Sequence, residues 1–85
     1  MKHAREDYNS IQDEDGRIPD EEPVFLIRAQ DAIGPMTIRA WARNAEMVGA
    51  RQDIIDHALA HSYLMEQWQD RHGRKVPDMP KAKRH

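Results

Sequence analysis

Apolar residues in this chain fall into three groups, each with its own spacing. In residues 24–30, VFLIRAQ, they run almost without a break behind Pro23. β-Branched and aromatic types dominate, so the stretch predicts a strand. Alternation places Phe25, Ile27 and Ala29 on one face and Val24, Leu26, Arg28 and Gln30 on the other. Its first half is apolar on both faces, as in a strand covered on both sides. In residues 35–48 the spacing becomes helical. Ile38, Trp41, Ala42, Ala45 and Val48 share a core stripe, with Gly34 as the N-cap, Pro35 at the first helical position and Gly49 as the stop. Met36, Ala40 and Met47 form a second apolar line on nearly the opposite side, flanked by Arg39 and Arg43. The third group starts at Gln52 or Asp53 and ends at His72 before Gly73. Its main stripe is Ile54, Ala58, His61, Met65 and Trp68, flanked by Ile55 and Leu64, while Leu59 and Tyr63 fall away from it. DIID at 53–56 resembles a capping box. The break between the helices is short, so they form an antiparallel or steeply crossed hairpin.

The expected fold is therefore mostly α with one short β-strand, in the order β-α-α. A lone strand leaves buried backbone groups unpaired. Pairing with the same strand of a second copy solves this, so a homo-oligomer is expected, with Phe25, Ile27, Met36, Ala40 and Met47 at its interface. The alternative is a short partner strand within residues 9–20 or 74–79.

Eighty-five residues make one domain with a small core. It divides into an acidic polar segment (1–22), the strand and hairpin (23–73) and a basic flexible tail (74–85). Residues 1–22 hold eight acids and three bases, and residues 71–85 hold six bases and one acid, within a net charge of −2. This asymmetry suits contact between the two ends or between chains. The overall acidity disfavours bulk affinity for nucleic acid. Cysteine is absent, which removes disulfides and thiolate metal sites. The N-terminus is too polar for a signal peptide and no apolar run approaches the roughly 18 residues of a membrane span, so a soluble cytoplasmic protein without membrane contact is expected.

Candidate chemistry is sparse. His57 and His61 stand at i and i+4, a spacing used by helical metal sites, but HALAH lacks the glutamate of a zinc hydrolase and spacing fixes no third ligand. They are weak metal candidates, and surface or interface histidines are the expectation. No nucleophile elbow or glycine-rich phosphate loop occurs, so neither an enzyme nor a bound cofactor is expected. The better constellation is an anion-binding corner. Arg28 and Gln30 end the strand close to a helix N-terminus, Arg39 and Arg43 follow on that helix, and Tyr8 or Trp41 offers a stacking surface. The plainer reading pairs Arg28 with an acid, leaves Arg39 and Arg43 solvated and puts the tryptophans in the core.

The phrases DYNSIQD, IPDEEPVFLIRAQD and RAWARNAEMVGA resemble a group of small accessory proteins of tailed bacteriophages and prophages, over roughly residues 3–70. The resemblance implies a viral protein acting in the host bacterial cytoplasm and transfers no active site. By analogy of class it suggests an oligomeric anti-defence sponge that holds a nucleotide-like immune signal between subunits, with Arg28, Arg39 and Arg43 on phosphate. The second expectation is an interaction module that binds and inhibits a host protein through the Met36/Ala40/Met47 line or the strand edge. A DNA-binding helix pair is the least expected, because the second helix carries Asp53, Asp56, Glu66 and Asp70.

Overall fold

Two helices joined by a tight connection carry the fold, as the spacing predicts: α1 (Gly34–Met47) and α2 (Gln52–His72). The structure is a computed structural model and describes residues 2–3, 13 and 15–79. Two two-residue strands precede the helices, β1 (Lys2–His3) and β2 (Pro23–Val24), paired in parallel with Lys2 opposite Pro23 and His3 opposite Val24. The chain is mostly helical, with a short strand on the N-terminal side of the hairpin. It divides into two compact units, Met1–Leu26 with Asp78–His85, and Ile27–Pro77.

In the first unit, Asp13 organises a turn. Its carbonyl accepts from Gly16 N (3.0 Å), and its carboxylate accepts from Arg17 N (2.9 Å) and Ile18 N (3.2 Å). Gly16 has φ +62°, a conformation that favours glycine.

The second unit is the hairpin. Asp31 starts it: its carboxylate accepts from Ile33 N (3.0 Å) and its carbonyl from Gly34 N (2.9 Å). Helix α1 therefore begins at Gly34, with Ile33 rather than Gly34 in the cap position and no side-chain cap. Met47 ends it, and Gly49 (φ +84°) turns the chain as expected. The capping box expected at 53–56 is not formed. Arg51 takes the cap position, and Asp53 accepts from Ile54 N (2.8 Å) and pairs with Arg51 Nη2 (2.7 Å).

The helices pack antiparallel through small side chains. Ala42, Ala45, Ile55 and Ala58 form the buried cluster, with Ile38, Ala50 and Leu59 packed against it. Alanines let the helix axes approach closely, which leaves little room for larger side chains in the seam. Two stripe assignments change accordingly. On α1, Trp41 is 50% and Val48 84% exposed, so they flank the seam instead of filling it. On α2 the buried face is Ile55, Ala58, Ser62, Met65 and Gln69, rotated from the expected Ile54, Ala58, His61, Met65 and Trp68. His61 is exposed, and Trp68 is half-buried against His72, with ring centroids 4.5 Å apart.

The strand expected over 24–30 is two residues long. Residues 25–28 lack ladder pairing and 29–30 turn. Asp31 N donates to Arg28 O (3.0 Å), closing the turn. Gln69 Nε2 donates to the carbonyls of Ala29 (2.9 Å) and Asp31 (2.7 Å). A turn and a helix side chain thus take carbonyls that a longer ladder would need. Backbone partners lie within the chain: Lys2–His3 for Pro23–Val24, and Lys75 for Asp31, through Ala32 N to Lys75 O (2.8 Å) and Lys75 N to Gln30 O (2.7 Å). Lys75 falls in the 74–79 segment considered as the alternative partner.

Gln69 is buried and links α2 to the segment before α1. Gln69→Ala removes the side-chain donor from the part-buried Ala29 carbonyl and one of two donors from the Asp31 carbonyl, which keeps Gly34 N, and is expected to cost about 1–3 kcal/mol. Chemical denaturation read by circular dichroism checks this, and a loss below measurement error would show that water replaces the amide.

Candidate functional site

Arg39 is a sequence-chosen residue that the fold builds into a polar cluster. It sits one turn into α1 at the border of the core stripe, so its side chain crosses toward α2. Arg39 Nε donates to Ser62 Oγ (3.1 Å), Nη2 forms an ion pair with Glu66, and the guanidinium lies 4.3 Å from the centre of the Tyr63 ring. Ser62 is fully buried and donates to Leu59 O (2.6 Å). The Nη2 contact is an ion pair without hydrogen-bond geometry, and that nitrogen is buried. Stacking and a charged partner together hold Arg39 in place.

Beside this cluster lies an open cleft of about 290 Å³ between the start of α1 and the end of α2. Ala32, Pro35 and Met36 form its apolar wall, and Arg39, Glu66, Gln69, Asp70 and Arg74 its polar one. Two cationic and two anionic side chains cancel, so the cleft has no net charge to attract a free anion.

The other ligand candidates stand elsewhere. Arg28 and Arg43 are exposed and do not line the cleft. Gln30 is half-buried, and its carbonyl accepts from Lys75. Trp41 lies on the flank of α1 away from Arg39, and Tyr8 falls outside the described residues. Of the interface candidates, Met36 and Met47 are exposed, at 61% and 82%, Phe25 is exposed and Ala40 is half-buried. Ile27 is half-buried, and its Cγ2 lies beside Gly34 inside the hairpin unit.

Sequence reading missed Ser62, Tyr63, Glu66, Gln69, Asp70 and Arg74. The available signal was the polar series Ser62, Glu66 and Asp70 at four-residue spacing, which places one helix flank opposite any arginine at the edge of the α1 stripe. His57 and His61 are both exposed, with ring centroids 6.1 Å apart and planes 20° from parallel. Among the described residues no group of three or more His, Cys, Asp or Glu side chains converges on one point. No described helix is long and apolar enough to cross a membrane.

No family model, curated protein or solved structure matches this chain.

Proposed function

We propose that the chain is a non-enzymatic interaction protein that docks one face of α1 into an apolar groove of another protein. The observation behind this reading is the α1 line opposite the core. Met36, Ala40, Arg43 and Met47 recur at spacings of four, three and four residues, and both methionines stand in solvent. Such spacing presents one continuous edge of a helix, the form read by helix-binding grooves. Methionine adapts to irregular pockets. Arg43 in the middle of the line selects a groove with a carboxylate opposite it. On the resemblance to small tailed-phage proteins, the proposed partner is a protein of the bacterial host.

The test is capture from host extract, followed by calorimetry with the purified partner. Met36→Asp and Met47→Asp together are expected to weaken binding at least tenfold while leaving helix content unchanged. A partner bound equally well by the double variant would remove this face from consideration.

The nucleotide-sponge reading has one observation in its favour: Arg39 and Arg74 line the same cleft. An anion there would have to displace Glu66 from Arg39 and tolerate Asp70, so the protein-docking reading is preferred. A thermal-shift panel of cyclic and ADP-ribose-type nucleotides is expected to leave the melting temperature unchanged. A shift that disappears in Arg39→Ala would reverse the preference.

A further inference from the structure

One face of α2 is used neither by the core nor by the proposed docking line. Ile54, His57, His61, Leu64 and Trp68 follow each other at spacings of three, four, three and four residues. That is the spacing of a helix–helix seam. Ile54 (44%) and Leu64 (57%) are exposed, as are both histidines. The stripe lies on the flank of α2 turned away from Tyr63 and Glu66, which Arg39 holds on the other side.

Four of the five, Ile54, His57, His61 and Leu64, are symmetric about Leu59; Trp68 lies beyond the symmetric part. His57 and His61 stand two residues to either side, and Ile54 and Leu64 stand five to either side. An antiparallel second copy of α2, related by a two-fold axis at the level of Leu59, therefore matches these four residues with each other. Each His57 faces the other copy's His61, and each Ile54 faces the other copy's Leu64. A two-fold contact requires this kind of self-complementary patch.

The histidines explain why such a seam would otherwise be unfavourable. Two imidazoles per chain brought to an axis are polar groups without partners. They are also half of a tetrahedral ligand set. Imidazole binds Zn²⁺ at about 2.0–2.1 Å, and a closed site takes four ligands. Residues at i and i+4 on one helix supply two. No third ligand converges with them among the described residues of one chain, so the set is complete only with a second copy. Their rings, 6.1 Å apart and nearly parallel, are exposed and have room to turn toward a shared ion.

We propose that two copies of this chain pair along α2 around one Zn²⁺-class ion, held by His57 and His61 of each, with Ile54 and Leu64 packing on either side.

The experiment adds Zn²⁺ alone to the metal-stripped full-length protein and follows mass by sedimentation equilibrium and stoichiometry by calorimetry. The expected result is a doubling of mass that saturates at about one ion per two chains, the count for a closed four-ligand site. His61→Ala is expected to abolish the Zn²⁺-dependent doubling with helix content unchanged, since alanine is the best helix former at an exposed position. Leu64→Asp is expected to abolish it with both histidines intact. The proposal is overturned by the absence of Zn²⁺ binding, or by one ion per chain on a protein that stays monomeric. It is equally overturned if the doubling survives in the His57→Ala/His61→Ala double variant, or if Leu64→Asp leaves it unchanged. None of these results bears on the Met36 and Met47 face, which is tested separately above.

Discussion

Ala42→Asp is expected to unfold the helical hairpin. Ala42 is 1% exposed and sits where α1 and α2 approach through alanines, against Ala45, Ile55 and Ala58. A carboxylate there has no cation or donor within the cluster. It also needs volume that the close helix contact does not leave. A buried, unpaired charge costs on the order of 3–5 kcal/mol, and overpacking adds to it. The hairpin unit, Ile27–Pro77, is of a size at which one hydrophobic core rarely supplies more than about 3–5 kcal/mol. The variant should therefore lose most of its helical circular dichroism and its cooperative melt at room temperature. Asn44→Asp, two residues away and exposed, is the control and should stay within about 0.5 kcal/mol of the parent. A cooperative melt retained by Ala42→Asp would mean that the helices separate enough to hydrate the carboxylate, and that the alanine seam contributes little.

Gly34→Val is the second large effect. Gly34 is buried at the first turn of α1, where the chain from residue 27 passes across it. A Cβ at this position would lie 2.9 Å from Met65 Cε, 3.1 Å from the Arg28 carbonyl oxygen and 3.2 Å from Ile27 Cγ2. The methionine tip can move aside. The carbonyl belongs to the turn closed by Asp31 N and is fixed by the backbone. Overpacking of this kind costs about 1–3 kcal/mol for added methylenes, and valine brings a branch as well. At about 4–8 °C per kcal/mol for a chain of this length, the melting temperature should fall by roughly 5–20 °C. Gly34→Ala should fall less. An unchanged melting temperature in Gly34→Val would show that the segment at 27–28 packs loosely on α1.

These two sites show how differently the parts of this molecule were written in its sequence. Helix boundaries were legible because their determinants are local. Gly49 and Gly73, both at positive φ, stop α1 and α2 where the spacing ends. Pro35 fits the first turn because the N–H it lacks would have no partner within the helix there. The strand was over-read for the converse reason. VFLIRAQ has strand composition throughout, yet Gln69, about forty residues further on, takes the carbonyls of Ala29 and Asp31. A long-range side-chain donor leaves no trace in a seven-residue window.

The candidate site follows the same division. The sequence named Arg39 as a cation worth following, and could not name Ser62, Tyr63 and Glu66 as its partners, because that choice depends on how α1 and α2 rotate against each other. Hydrophobicity alone put His61 and Trp68 on the buried face of α2 and left Ser62 and Gln69 outside. Burial reverses this because Ser62 and Gln69 each find hydrogen-bond partners in other segments, which removes the cost of burying them. By itself, then, the sequence determined two helices, their ends, their hairpin order and an α1 face rich in exposed methionine. Tertiary structure decided which alanines touch, which way α2 turns and where the backbone before α1 finds its hydrogen bonds. Helix formation is governed by neighbours within one or two turns. Rotation and pairing are governed by contacts between residues tens of positions apart, where close packing admits one arrangement.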